Sequence, residues 1–143
     1  MLLSYTIAGG DFANAGNASS AVKKVLKQLN VHSQVIKRVV VALYEAEVNI
    51  VAHAWAGTMR VDIDPERILM ELEDKGPGIP DIGLAMKEGF STAGPLVREM
   101  GFGAGMGLPN IKKNTDAMEI SSTPGKGTVL KMVNYLKPHE QKS

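Results

Sequence analysis

The chain has 143 residues, with 16 lysines and arginines against 15 aspartates and glutamates, and no cysteine. This balance leaves no electrostatic footprint for nucleic acid or an anionic membrane, and the missing thiols exclude disulfides and thiolate metal sites. With 44% hydrophobic and 22% charged residues and no low-complexity tract, it reads as one globular domain over residues 1–137, followed by a flexible polar tail over 138–143.

The N-terminal MLLSYTIAGG has neither the basic region nor the long apolar region of a signal peptide. The longest apolar run, Val39 to Tyr44, is far too short to span a membrane, so a cytoplasmic location is expected. Leu2 to Ala8, closed by Gly9-Gly10, predicts a first strand. Ala18, Ala21, Val22, Val25, Leu26 and Leu29 recur at helical spacing and predict a helix from Asn17 to Leu29. Asn17, Ser19 and Ser20 are available to cap it, and Asn30 to stop it.

Ser33 to Ala54 reads as a second, longer helix. Thr58 to Ile63 and Arg67 to Glu73 alternate on either side of an Asp64-Pro65 turn, which predicts a hairpin. Asp74 to Gly107 is a glycine-rich excursion of about 30 residues, a length that in a compact domain is usually functional. A helix from Leu108 to Thr115, a strand from Ala117 to Ser122, a turn over Pro124 to Gly127 and a strand from Thr128 to Leu136 complete the order. Strands in adjacent pairs predict an α+β two-layer sandwich: a mixed, largely antiparallel sheet with helices on one face.

On the long helix, Glu45, Asn49 and His53 project within an arc of about 80°. Gln34 and Arg38 fall near it, while most of the remaining surface is apolar, with Lys37 and Glu47 as exceptions. The stripe reads either as the wet face of an amphipathic helix or as a ligand site, with a carboxylate for a proton or metal beside an Asn oxygen suited to Mg²⁺. Alone it does not decide.

Two glycine segments follow. In EDKGPGIP, Asp74 closes a strand ahead of Gly76 and Gly78, a pattern shared by ordinary turns and by a carboxylate that accepts from a ligand amine. In MGFGAGMGLPN, glycine occupies positions 101, 103, 105 and 107. The segment satisfies neither the dinucleotide fingerprint nor the Walker pattern. Alternating glycines nonetheless let backbone N–H groups approach phosphates ahead of a helix start, and they permit closure as a lid.

In this order, EAEVNIVAHA, DKGPGIP, GFGAGMGLPN and PGKGT resemble the GHKL (Bergerat-type) ATP-binding domain of gyrase, Hsp90, histidine kinases and MutL. The chain looks most like the small bacterial serine/threonine kinases and anti-sigma factors that act on partner-switching regulators. That resemblance implies ATP and Mg²⁺ as cofactors, with Asn49 as the Mg²⁺ ligand and Glu45 as the general base toward the attacking hydroxyl. Asp74 would accept from the adenine amino group, with Gly78 and Thr128 near it. Gly103, Gly105 and Gly107 would supply the phosphate-facing backbone and lid hinge. His53, Gly76, Ile79, Ala104, Met106 and Leu108 complete the implied nucleotide-binding set, and Arg98 is a candidate phosphate contact.

The implied partner is a small antagonist-type regulatory protein, or a sigma factor in the anti-sigma branch; no nucleic acid or membrane is expected. A complete histidine kinase carries a phosphoacceptor His on a dimerising helical pair, whereas His32 here has no adjacent acidic residue and too little chain precedes the long helix. GFSTAG, GMGLPNIKK and PGKGT favour the stand-alone switch kinases, while PLVREM (Pro95 to Met100) departs from their shorter lid. Two other outputs stay open: ATP-gated binding of a partner without turnover, and a histidine-kinase-like ATPase acting in trans. The outer apolar residues of the first helix are a candidate homodimer surface that the sequence does not separate from core packing.

Overall fold

The computed structural model describes residues 1–79, 86 and 107–136. They form strand β1 (Leu2–Ala8), a 3₁₀ turn (Phe12–Asn14), helices α1 (Asn17–Gln28) and α2 (Ser33–His53), strands β2 (Ala56–Ile63) and β3 (Arg67–Lys75), helix α3 (Gly107–Lys113), and strands β4 (Ala117–Thr123) and β5 (Gly127–Tyr135). The sheet order is β1-β2-β3-β5-β4, and each neighbouring pair is antiparallel. The described sheet is therefore antiparallel rather than mixed.

The alternation in the strands separates two faces. Met59, Val61 and Ile63 of β2, Ile68, Met70 and Leu72 of β3, and Leu130 and Met132 of β5 are buried with the helices. The positions between them face outward. There Arg60, Glu71, Lys131 and Glu119 stand opposite one another across four strands with alternating sign. Arg60 bridges Glu71 at 3.3 Å and Glu73 at 3.4 Å. The β2–β3 turn is held by Asp64, whose Oδ1 accepts from the N–H groups of Glu66 and Arg67 at 2.8 Å each. Those backbone bonds hold its carboxyl below the usual range. Pairing of Ala56 with Lys75 carries the hairpin past Glu73, so Asp74 lies inside β3.

Ala18, Val22 and Leu26 of α1 belong to the core, whereas Ser20, Lys23, Lys24 and Lys27 are exposed. Ala18, Val22 and Leu26 are thus core packing, while Ala21 and Val25 are half-buried and Leu29, just past the helix, is 44% exposed. Its cap differs from the sequence expectation. Neither Asn17 nor Ser20 caps the helix; the capping group is the carboxylate of Glu47, from α2. Glu47 Oε2 accepts from Gly16 N–H at 3.0 Å and Ala18 N–H at 3.2 Å. Its Oε1 accepts from Ser19 N–H at 2.9 Å and Ser19 Oγ–H at 2.6 Å. The first turn of a helix leaves N–H groups unpaired and concentrates positive charge, so an anion there offsets both. Glu47 is only 2% exposed for that reason.

Candidate functional site

Three contacts fix how α3 lies on α2. A Cβ added to Gly107 would stand 3.0 Å from both polar atoms of the Asn49 carboxamide, so the backbone there packs directly on that side chain. Asn110 Nδ2 donates to Glu45 Oε2 at 3.0 Å. Just beyond α3, Asp116 Oδ1 takes the Arg38 guanidinium at 2.9 Å. Rising numbers on α3 meet falling numbers on α2, so the two helices run antiparallel. The stripe anticipated from helical spacing is the seam between them.

Glu45 and Asn49 are each half-buried along this seam. Among the described residues, Glu45 Oε1 has no hydrogen-bond partner. His53, one turn on, is also half-buried, and burial lowers its pKa from the ordinary value. Asn110 was not singled out as a site residue by sequence, although it ends the GFGAGMGLPN segment.

The C-terminal end of α2 adjoins a second cluster. Ala54, just past the helix, lies between two glycines: a Cβ at Gly9 would collide with the Ala54 carbonyl oxygen, and one at Gly76 would stand 2.9 Å from Ala54 Cα. Beside this corner, Asp74 Oδ1 accepts from Thr128 N–H at 3.1 Å. Burial raises the Asp74 pKa, and the Thr128 bond opposes that shift. Among the described residues Asp74 Oδ2 has no partner. Gly127 has φ +149, and a Cβ there would collide with the Asp74 carbonyl oxygen, so only glycine lets β5 start so close to β3.

Gly78 has φ +78, and Ile79 N–H donates to Ser122 Oγ at 2.7 Å; Ser122 Oγ also lies 2.9 Å from Thr128 Oγ1. Ser122 therefore ties the first glycine segment to the last strand pair. Sequence reading missed it because nothing local distinguishes it from Ser121.

Gly76 packs on Ala54 at the end of α2, Asp74 at the end of β3 holds Thr128 at the start of β5, and Gly107 at the start of α3 packs on Asn49; Glu45 lies one turn farther back along α2. Gly103, Ala104, Gly105, Met106, Arg98, GFSTAG and PLVREM lie outside the described residues. A hard amide oxygen at Asn49, against backbone that no Cβ obstructs, fits Mg²⁺, and Asp74 Oδ2 fits an exocyclic amine. Among the described residues, no group of three or more His, Cys, Asp or Glu could hold a metal by itself. A separate cavity of about 320 Å³ lies on the outer sheet face. Its lining of Glu71, Glu73, Glu119, Ser121, Val129 and Lys131 is predominantly acidic and unsuited to phosphates. Among the described residues no helix is long and apolar enough to cross a membrane.

A family model described as the histidine kinase-like ATPase domain matches residues 10–134. The chain is 32% identical over 119 residues to the serine/threonine-protein kinase RsbT of Bacillus subtilis (strain 168), covering 80% of this chain and 84% of that protein. It is 34% identical over 128 residues to an anti-sigma F factor of Caldanaerobacter subterraneus subsp. tengcongensis, covering 86% of each. Among solved structures, a mycobacterial sensor histidine kinase, MprB, is similar with a TM-score of 0.53 at 17% identity, covering 93% of this chain and 97% of that one. At that identity the likeness is one of fold.

Proposed function

Because the chain belongs to the histidine kinase-like ATPase domain family, we propose that it is an ATP- and Mg²⁺-dependent serine/threonine kinase of the partner-switching type, acting on a small regulatory protein. The observation that carries this reading is the α2–α3 seam, which puts a carboxylate and a hard amide oxygen one turn apart against glycine backbone. The similarity to a named serine/threonine kinase supports it.

Bound Mg²⁺-ATP would supply the transferable phosphoryl group and the neutralisation of its charge. Asn49 would ligate the ion through its side-chain oxygen. Asp74 would accept from the adenine amine through Oδ2 while Thr128 N–H holds Oδ1 in place. Glu45 would take the proton from a serine or threonine hydroxyl as its oxygen bonds to phosphorus and ADP departs. The glycine segment 101–107 would face the phosphates. Incubation with γ-labelled ATP, Mg²⁺ and proteins encoded beside this chain tests the reading. Acid-stable phosphate on a serine or threonine of a partner is expected, and acid-labile phosphate on a histidine would overturn it.

The similarity to an anti-sigma F factor favours a second reading, in which nucleotide gates the binding of a sigma factor or its antagonist. ATP-dependent capture of such a partner with no phosphorylated product would select that reading over the first.

A further inference from the structure

Resting on the reading of Glu45 as the base, we infer that Asn110 is a positioning residue, which orients the Glu45 carboxylate. The Asn110 Nδ2 to Glu45 Oε2 bond of 3.0 Å is the contact concerned. A half-buried glutamate with no other described partner keeps its terminal torsion broad and roughly two-fold. One donor on Oε2 fixes the carboxylate plane and leaves Oε1 to meet a hydroxyl. A neutral amide does this without forming an ion pair that would tie up the carboxylate, as an arginine or lysine would.

The placement of Asn110 links it to the nucleotide side of the site. It lies three residues, close to one helical turn, after Gly107, the last glycine of the segment and the one packed on Asn49. The far end of the same helix is fastened three ways. Asn134 Nδ2 donates to Asn114 O at 2.9 Å, Arg38 pairs with Asp116 at 2.9 Å, and Asp116 N–H donates to Val133 O at 2.9 Å. Asn114 N–H and Nδ2–H both return to Asn110 O, at 3.2 and 2.8 Å. With its C-terminal end tied to α2 and β5 and with Leu108 and Ile111 buried in the core, α3 holds Asn110 in register with Glu45 while Gly107 packs on Asn49.

The test uses the full chain with Asn110→Ala, Asn110→Asp and Glu45→Gln. Without nucleotide, ¹⁵N–¹H spectra should show the Asn110 Nδ2 resonance displaced by Glu45→Gln. Single-turnover transfer to the acceptor found with γ-labelled ATP should fall about 10-fold in Asn110→Ala and about 100-fold in Asn110→Asp, with ATP affinity unchanged in both. The near-isosteric aspartate is expected to be the worse variant, because it faces the carboxylate with oxygens instead of a donor; a purely structural role would give the opposite order. Transfer at the wild-type rate in both Asn110 variants, with Glu45→Gln inactive, would overturn the inference and leave the base in place. Equal losses accompanied by a lowered melting temperature, or an Nδ2 resonance indifferent to Glu45→Gln, would also overturn it. A fully active Glu45→Gln would instead remove the base reading itself.

Discussion

Glu45 and Glu47 stand two positions apart on α2, one facing α3 and the other α1, and the molecule treats them in opposite ways. Glu47 is buried and receives four hydrogen bonds from the first turn of α1. Glu45 is half-buried and receives one, from an asparagine that adjoins the glycine segment. A carboxylate whose acceptor capacity is filled by backbone amides is a fixed part of the frame, with nothing left to offer a substrate. A carboxylate with a lone pair to spare, held in place by a single donor, can accept a proton. On the reading of Glu45 as the base, what separates structure from chemistry on this helix is the degree of satisfaction, not residue type.

The sharpest way to break that comparison is to neutralise each carboxylate in turn. Glu45→Gln should lower phosphoryl transfer by roughly 10²–10⁴-fold while leaving ATP affinity and melting temperature near wild type. Undiminished transfer would erase the distinction. Glu47→Ala strands three buried N–H groups and the Ser19 hydroxyl. It should cost about 3 kcal/mol of stability in denaturant titration and lower the melting temperature by about 10 °C. A stable Glu47→Ala protein would show that α1 starts without this cap.

The two ends of the site also differ in their response to pH. The pKa of His53 is lowered by burial, so on acidification the unfolded chain takes up its proton first. Stability should be flat above the unfolded value of about 6.5 and decline as pH falls from there through the folded value; His53→Asn should flatten that slope. Asp74 has the opposite sign. Burial raises its pKa, so its contribution is fully present below the unfolded value and is lost as pH rises through the folded one. Asp74→Asn should remove that loss while weakening adenine nucleotide binding, which titration with ATP would measure. The smallest effect belongs to the outer face. Arg60→Ala breaks two exposed pairs, with Glu71 and Glu73, and should change stability by about 0.5 kcal/mol or less. A larger change would mean that the charge row on that face acts as a network.

The α1 and α2 spans and the five described strands were legible from periodicity, because alternation and helical spacing report directly on which side of an element is buried. The polar stripe was legible for the same reason. Glu47 was not. It interrupts an otherwise apolar helix face, and its partners lie 28 to 31 residues away in sequence, beyond the reach of any local pattern. Ser122 and Asn110 were missed on similar grounds. Each acquires its role only when a distant segment folds against it: the Gly78-Ile79 turn for Ser122, α2 for Asn110. The glycine spacing was readable as a feature, but the reason Gly107 must be small, the Asn49 carboxamide, is a tertiary fact.

The packing of Ala54 between Gly9 and Gly76 bears on how mutational data for this chain should be read. In a saturation scan, both glycines would score as intolerant as any residue that touches a ligand, since a single added carbon at either would displace the turn that ends α2. Gly76 lies in DKGPGIP, so its sensitivity would be credited to nucleotide binding. Gly9, far away in sequence and outside every motif, would look like an unexplained hit. Pairing the two as opposite walls of one tight corner explains both. A sensitivity map becomes a map of the site only after such corners have been subtracted from it.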